Sequence, residues 1–239
     1  MRPDVADLHE FYASPLGQVA RRLLRRRIRE LWPDLRGQSI LGLGFATPYL
    51  RPFLGEAERV VAVMPASQGV LHWPREAPNV VALGEETDLP LPDSLLDRVL
   101  LIHAIETTEE LRPMLREIWR VLAPGGRLLA VAPNRRGLWS RVERTPFAQG
   151  TPYSRGQLGR LLRDNLFSPM RWTTALYVPP TELRFMLRSA AAIERIGGDW
   201  FSTFAGAILI EAGKQIYAAT PLRESGRERR ARVVVLPEA

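Results

Sequence analysis

The sequence lacks the residues on which several kinds of site depend. It has no cysteine, which excludes disulfides, thiolate nucleophiles and cysteine-bound zinc. Its three histidines, His9, His72 and His103, are too few and too scattered to predict a metal site. No apolar run approaches the roughly 20 residues that span a bilayer, and the acidic start MRPDVADLHE has no apolar signal core. We therefore expect no integral membrane segment and a cytoplasmic location.

Lysine is also nearly absent, since Lys214 is the only one among 33 basic residues, and the net charge is +7. A coding bias towards arginine explains the ratio without any function. The arginines nevertheless cluster at residues 21–29 and again at residues 223–232. Because guanidinium groups bind phosphate bidentately, either cluster is a candidate surface for RNA or another phosphate-bearing partner.

The composition, 46% apolar and 25% charged, is that of one globular domain. We predict an amphipathic helical segment over residues 1–35, an α/β domain over 36–220 and a mobile tail over 221–239. Apolar residues of the first segment recur at helical spacing, at Leu16, Val19, Leu23, Leu24, Ile28 and Leu31. The arginines between them predict a solvated helix surface, with a phosphate- or partner-facing surface as the alternative.

Short apolar runs then alternate with helical patterns, as in a parallel sheet buried on both faces. The predicted strands are Ser39–Leu43, Arg59–Met64, Val80–Leu83, Arg98–Ile102 and Arg127–Val131. The clearest helix is Glu109–Val121, closed by a turn at Pro124-Gly125-Gly126. This order predicts an open, doubly wound α/β sheet.

After a polar loop at Pro133–Pro152, the pattern predicts further elements. A helix at Ser154–Asn165, capped by Ser154, precedes a second helix at Thr181–Glu194. Late strands are predicted at Arg171–Val178, Gly206–Glu211 and Lys214–Ala219.

The turn after the first strand is the first place to look for a ligand, because doubly wound sheets bind ligands beyond the carboxyl ends of their strands. It reads Gly42-Leu43-Gly44-Phe45-Ala46-Thr47-Pro48. Gly44 allows close approach of a ligand, and Thr47 is predicted to cap a helix that begins at Pro48. A plain tight turn is the alternative.

A nicotinamide dehydrogenase is a further alternative for this turn, but the sequence matches only half of the dinucleotide-binding fingerprint. Met64 also stands where such an enzyme needs an acidic residue.

Four segments in order resemble class I S-adenosylmethionine-dependent methyltransferases of the small-molecule, type 11 branch. They are Ser39–Leu50, Gly84–Leu101, Ile102–Glu106 and the most specific, Leu115–Val131 (LREIWRVLAPGGRLLAV). The resemblance covers about Arg36 to Pro133. It implies a Rossmann-like, seven-stranded, mostly parallel sheet with an antiparallel late strand. It also implies S-adenosylmethionine as cofactor and in-line methyl transfer to oxygen, nitrogen or carbon.

The resemblance assigns cofactor contacts to Gly42, Gly44, Phe45, Ala46, Met64, Glu85, Glu86, Leu89 and His103. Several depart from the family pattern. Gly42 stands where the family has an acid, Ala46 and Pro48 stand where it has glycines, and Met64 replaces the acid that binds the ribose hydroxyls. Glu85, with Glu86 beside it, falls where the family has an acid near the adenine amino group, and Leu89 matches apolar packing for the ring; a charged loop is the alternative.

No general base is obligatory for such a reaction, and His103 is the one candidate that titrates near neutrality at the mouth of the predicted pocket. Glu106 lies close to it in sequence. Phe11 and Tyr12 belong to a leading segment that folds over the pocket in similar enzymes, although core packing is the simpler role. Arginines alternate with aromatic residues in the segment Asn134–Pro152 and Tyr153. This composition suits a phosphorylated acceptor, and a solvated loop is the alternative.

Two functions follow for the chain. The first is methyl transfer from S-adenosylmethionine to a small-molecule, lipid or RNA acceptor. The second is a catalytically inactive methyltransferase-like partner or scaffold subunit, which the altered cofactor residues would explain directly, because a fold alone does not establish activity. A partner protein that completes the site is compatible with both.

Overall fold

The computed structural model describes residues 3–200 and 202–216. Its centre is a seven-stranded sheet in the order β3-β2-β1-β4-β5-β7-β6. The strands are β1 (Ser39–Gly44), β2 (Arg59–Pro65), β3 (Val81–Gly84), β4 (Leu96–Ile102), β5 (Leu122–Pro133), β6 (Phe167–Ala175) and β7 (Ala207–Lys214). Strands β1 to β5 run parallel, and β7 is antiparallel to both β5 and β6. The predicted sheet, with its antiparallel late strand, is confirmed.

Helices cover both faces of the sheet. They are α1 (Val5–Ala13), α2 (Pro15–Leu31), α3 (Thr47–Leu50), α4 (Leu111–Val121), α5 (Arg155–Asp164), α6 (Arg184–Arg188) and α7 (Ala190–Trp200). The first three, with α6 and α7, share one apolar core, while α4 and α5 pack in the core on the opposite face.

Burial on both faces explains why the strands are apolar without interruption. In β1, Ile40 belongs to the core beneath α1 and α2, and its neighbour Leu41 belongs to the core beneath α4. Successive strand residues point to opposite faces, so each residue of a central strand meets a covering helix. The predicted segment 1–35 therefore forms one side of the main core, since α1 and α2 both contribute to it.

Among the late elements, the helix capped by Ser154 and the strand predicted at Gly206–Glu211 are confirmed as α5 and β7, whereas others differ from the prediction. The strand expected at Arg171–Val178 lies at Phe167–Ala175, as an edge strand of the sheet, where Pro169 is tolerated because an edge strand leaves some N–H groups unpaired. The helix expected at Thr181–Glu194 is two helices that meet at Ser189. Pro124-Gly125-Gly126 lies inside β5, next to a register shift between Leu96 and Arg98, and does not form a separate turn.

The predicted strand Lys214–Ala219 is wrong in its described part, since β7 ends at Lys214 and residues 215–216 are not in a strand, and residues 217–219 lie outside the described residues. The predicted tail 221–239 also lies outside them. No helix within the described ranges is long and apolar enough to cross a membrane.

The connection from β2 to β3 interrupts the alternation of strand and helix. Residues 66–80, all of them described, contain turns and extended chain but no helix. Val5 at the start of α1 contacts this connection, because its backbone N–H donates to the Gln68 carbonyl over 2.8 Å. The connection and α1 together form a wall beside the carboxyl ends of the strands.

Candidate functional site

The two glycines at the end of β1, Gly42 and Gly44, serve packing inside the protein. Gly44 has φ +81°, and a Cβ placed on it would lie 2.3 Å from the carbonyl oxygen of Ile102 on β4. A Cβ on Gly42 would lie 2.6 Å from the Cβ of Ala46 and from Cδ1 of Leu50. Gly44 thus lets β1 approach the backbone of β4 closely, and Gly42 leaves room for the side chains of Ala46 and Leu50. The space that a side chain would take at either position is therefore filled by the protein itself.

The helix after the loop is short, and its start differs from the prediction. It spans only Thr47–Leu50, and Ala46, without a capping side chain, occupies the position expected for Thr47. Phe45 and Ala46 are buried. The Phe45 ring stacks on Tyr12 of α1, with centroids 5.6 Å apart and planes 11° apart. The loop is thus covered by an aromatic pair.

A chain of buried hydrogen bonds joins the end of β4 to α1 and α3. His103 Nδ1 lies 3.0 Å from Glu106 Oε1, and His103 Nε2 lies 2.8 Å from the Tyr12 hydroxyl. The Tyr49 hydroxyl donates to the Tyr12 hydroxyl over 2.9 Å. These contacts assign the imidazole proton to Nδ1, because Glu106 accepts there and Tyr12 donates to Nε2. The predicted candidates His103, Glu106 and Tyr12 come together, and Tyr49 joins them.

Burial raises the pKa of the Tyr12 hydroxyl well above its ordinary value, and the nearby Tyr49 and Glu106 raise it further. Burial also raises the pKa of Tyr49, against the hydrogen bond that Tyr49 makes to Tyr12. Both phenols therefore stay protonated near neutral pH and act as donors.

The Phe147 ring packs against the other side of His103, at 4.9 Å between the ring centroids. His103 is buried and not at an open mouth, contrary to the prediction.

The residues assigned to the ends of β2 and β3 lie in different environments. Met64 is fully buried in the core beneath α1. Glu85 is exposed, whereas Glu86 is buried and accepts a hydrogen bond from the hydroxyl of Thr108. Leu89 is buried in the opposite core. Of these predicted contacts, only Met64 shares the core of Tyr12 and Phe45.

Gln68 is a residue that the sequence analysis did not identify. It follows β2 by three residues and is 1% exposed, yet neither its amide nitrogen nor its amide oxygen has a hydrogen-bond partner among the described residues. Glu106 Oε2 is likewise buried without a partner there. Buried polar groups are nearly always hydrogen-bonded, so two such groups at the ends of β2 and β4 suggest a binding site. A single glutamine in a polar loop gives no sequence signal.

The arginine- and aromatic-containing loop predicted to admit an acceptor is largely packed into the protein. Trp139 is buried and donates from Nε1 to the Val178 carbonyl over 2.7 Å, and its ring meets Phe147 edge-on. The Arg144 guanidinium donates to the Pro180 carbonyl over 3.0 Å. Arg135 and Arg136 are exposed. The aromatic residues of this loop thus form the wall behind His103.

A cavity of about 890 Å³ lies on the other side of the Tyr12–Phe45 pair. Residues from α1, α2, the loop after β1 and the connection between β2 and β3 line it. Neither Gly44 nor Met64 nor His103 is among its lining residues. Among the described residues, no group of three or more histidines and carboxylates is placed to hold a metal ion.

Comparison with known proteins agrees with this architecture. A family model described as a methyltransferase domain, of type 11, matches residues 41–130. A demethylmenaquinone methyltransferase from Thermus thermophilus is 30% identical over 179 residues, which cover 70% of this chain and 79% of that protein. A putative methyltransferase from Haloferax volcanii, solved in complex with the Trm112 methyltransferase activator, has a TM-score of 0.65 at 19% identity and covers 90% of this chain and 99% of its own.

A demethylmenaquinone methyltransferase from Corynebacterium efficiens is 29% identical over 128 residues. That match covers 54% of this chain and 56% of the relative, so the similarity spans about half of the relative's length. The matched region, 41–130, begins in β1 and ends in β5, and thus contains the loop after β1 and the end of β4. By its sheet order, its sequence relatives and its family match, the chain belongs to the class I S-adenosylmethionine-dependent methyltransferases, in the type 11 branch.

Proposed function

We propose that this chain transfers a methyl group from S-adenosylmethionine to a nucleophilic oxygen, nitrogen or carbon of an acceptor. Bound S-adenosylmethionine supplies an electrophilic methyl group on its sulfonium sulfur. The sulfur would leave as a neutral thioether when the nucleophile takes the methyl group. The observation that carries the proposal is a pair of buried polar groups at the ends of β2 and β4, the Gln68 amide and Glu106 Oε2, neither of which has a hydrogen-bond partner among the described residues. These strand ends flank the loop after β1, where doubly wound folds bind their ligands.

Gln68 fits the role that Met64 is unable to fill. A thioether is a poor acceptor for ribose hydroxyls, but an amide oxygen accepts well and an amide nitrogen donates. Gln68 lies just beyond β2, beneath the start of α1, and its amide is free for such contacts. We therefore assign the polar contact at the end of β2 to Gln68.

Tyr12 must move for the cofactor to reach the loop. Its ring covers Phe45, and its hydroxyl spans from Tyr49 to His103, so it fills the space between the loop and the end of β4. We infer that α1 withdraws Tyr12 when cofactor binds, which exposes His103 Nε2. With Nδ1 held by Glu106, Nε2 is then in the form that accepts a proton from an acceptor nucleophile.

Isothermal titration with S-adenosylmethionine and S-adenosylhomocysteine tests the proposal directly. Micromolar binding of both, followed by transfer of radiolabelled methyl to an acceptor, is the expected result. Demethylmenaquinone, which appears in the names of two sequence relatives, is the first acceptor to try, in its reduced form. Absence of binding up to about 1 mM would contradict the proposal and favour an inactive partner subunit. Repeating the titration with a candidate activator protein tests whether a second subunit completes the site.

Tyr12→Phe is expected to tighten S-adenosylhomocysteine binding about three- to tenfold. The substitution removes two hydrogen bonds that hold α1 over the loop, each worth about 0.5–1.5 kcal/mol, and so raises the population of the open form that binds. Titration calorimetry measures the change. Tyr153→Phe, which removes a hydroxyl contact to the Ile105 carbonyl, is the control and should leave the affinity unchanged. Weaker binding by Tyr12→Phe would mean that this hydroxyl contacts the cofactor itself.

Gln68→Met is expected to raise stability while weakening cofactor binding. The change removes an unpartnered buried amide, which is worth about 1–2 kcal/mol to the folded state, and it removes the polar contact assigned to the ribose. We expect S-adenosylhomocysteine affinity to fall about tenfold. Gln38→Met is the matched control, because Gln38 Oε1 is also buried without a partner but precedes β1. If both variants bind equally well, Gln68 has no part in the site.

A further inference from the structure

The cavity of about 890 Å³ carries an excess of positive charge. Four arginines line it, Arg21, Arg25, Arg51 and Arg75, against a single carboxylate, Glu76. His9 and His72 line it as well. Its volume falls in the range of small-molecule sites, roughly 300–1,000 Å³. The charge of the cavity therefore favours an anion of small-molecule size.

The two arginines of α2 that line the cavity, Arg21 and Arg25, form no ion pair with a carboxylate among the described residues. Arg51 pairs with Glu76, which accounts for the one carboxylate. Arg25 donates from Nε to the Pro48 carbonyl over 2.6 Å, and Arg21 forms no ion pair within the described ranges. Burial lowers the pKa of Arg25, and the neighbouring Arg21 and Arg51 lower it further, against a smaller opposite effect of Tyr49. Half-buried guanidinium groups that repel one another are stabilised by an anion between them.

Other arginines of α2, which do not line the cavity, pair with carboxylates. Arg26 and Arg27 pair with Glu30 at 3.0 and 2.9 Å, and Arg29 pairs with Glu56. The arginine-rich helix predicted as a solvated surface thus has two parts. One part is neutralised by carboxylates, and the other, with Arg21 and Arg25, faces the cavity.

The remaining walls of the cavity are apolar and aromatic. Tyr12, Phe45, Leu71 and Trp73 all line it. Aromatic side chains pack well against flat, apolar ligand groups, while the arginines fix an anionic end by bidentate hydrogen bonds. The cavity therefore suits a ligand with an aromatic body and a phosphate or carboxylate group.

We propose that this cavity binds the methyl acceptor, and that the acceptor is an aromatic molecule with a phosphate or carboxylate group held by Arg21 and Arg25. The assignment of this ligand as the acceptor rests on the proposed function, whereas the anion site does not. Tyr12 supports the assignment, because it lines the cavity on one side and contacts His103 on the other. Withdrawal of Tyr12 would join the cavity to the cofactor site.

Titration with phenyl phosphate, inorganic phosphate and benzyl alcohol tests the anion site on the full chain. We expect phenyl phosphate to bind more tightly than phosphate, and benzyl alcohol not to bind at all. Arg21→Gln should weaken phenyl phosphate binding about tenfold. Arg22→Gln is the matched control, because Arg22 is exposed on the same helix and does not line the cavity. Arg21 is preferred to Arg25 for the test, since Arg25 also supports the Pro48 carbonyl.

Equal binding by Arg21→Gln and wild type, or no binding of phenyl phosphate up to about 10 mM, would overturn the anion site. Benzoate in place of phenyl phosphate distinguishes a carboxylate ligand from a phosphate ligand. Neither the Arg21→Gln comparison nor the phenyl phosphate titration depends on methyl transfer.

A second titration separates this inference from the proposed function. Saturating S-adenosylhomocysteine should leave the affinity for phenyl phosphate within about threefold of its value alone, because the two molecules occupy adjoining spaces. Mutual displacement, with S-adenosylhomocysteine binding also lost in Arg21→Gln, would show that the cavity holds the cofactor's own carboxylate. That result overturns the acceptor assignment and leaves the proposed function standing. Phenyl phosphate binding without any S-adenosylhomocysteine binding would overturn the proposed function, and with it the acceptor assignment, and would leave the anion site standing.

Discussion

Gly44→Ala is expected to lower the free energy of unfolding by about 2–5 kcal/mol. Gly44 has φ +81°, a conformation that costs an L-residue about 1–2 kcal/mol, and the added Cβ would lie 2.3 Å from the Ile102 carbonyl oxygen. Because that oxygen is backbone in a central strand, relief requires β1 and β4 to shift, at a cost of about 1–3 kcal/mol more. Guanidinium chloride denaturation measures the change.

Gly37→Ala is the control for the backbone conformation alone. Gly37 has φ +68°, and nothing lies within 4 Å of the Cβ that alanine would add. Its loss of stability should therefore be only about 1 kcal/mol. Equal losses in the two variants would show that the β1–β4 contact relaxes easily, and that Gly44 is not required for packing. Gly44 would then be free for the cofactor contact that the family pattern assigns to it.

Glu211→Gln is expected to destabilise the protein by about 2–3 kcal/mol at pH 7. Glu211 on β7 is fully buried, and its carboxylate accepts hydrogen bonds from Trp32, Arg127 and Arg171. Removal of the negative charge leaves two guanidinium groups without their partner. They are 35% and 44% exposed, so the loss is smaller than for a fully buried pair. Chemical denaturation at pH 7 gives the value, and Glu30→Gln, at an exposed pair, should change it by less than about 0.5 kcal/mol.

The effect of Glu211 should depend on pH. Burial alone would raise the pKa of Glu211, but the hydrogen bonds from Arg171, Trp32 and Arg127 outweigh it and the pKa is lowered. A carboxyl whose pKa is lower in the folded state stabilises the protein above its unfolded pKa, about 4.3. That contribution is lost as the pH falls through the lowered folded pKa. The difference between wild type and Glu211→Gln should therefore shrink as the pH falls below about 4. A difference that stays constant down to pH values near 3 would show that this carboxylate does not carry the effect.

Local patterns in the sequence were sufficient for the central elements of the fold. The predicted strand Ser39–Leu43 and helix Glu109–Val121 differ from β1 and α4 by one or two residues at an end. These elements have strong periodicity, because each strand is apolar on both faces and the helix has one apolar stripe. The late elements were predicted less well. Pro169 obscures the start of β6, and Ser189 divides what reads as one helical pattern.

The candidate site could also be predicted only in part from the sequence. His103, Glu106 and Tyr12 could each be chosen as candidates, because they are titratable or aromatic residues near a strand end or in a leading helix. Their mutual contact is not encoded in any local pattern, since Tyr12 and His103 are 91 residues apart in the chain. Gln68 carries no sequence signal, and of the cavity only the arginine cluster at residues 21–29 could be noticed in the sequence. Both depend on the absence of a helix between β2 and β3, which allows α1 to cover residues 66–80.

Side-chain periodicity and turn residues act over a few neighbouring positions, so the sequence alone was enough to predict the doubly wound sheet, and the resemblance of four of its segments pointed to the methyltransferase family. Whether the altered loop still opens to a ligand depends on which side chains meet across the sheet edge, and those contacts form only when α1 packs against β1 and β4. The fold places Tyr12 over the loop, buries the Gln68 amide without a partner among the described residues, and turns Arg21 and Arg25 towards one cavity. Long-range packing thus determines whether these residues bind a ligand, because burial and charge at each position are set by neighbours that are distant in the chain.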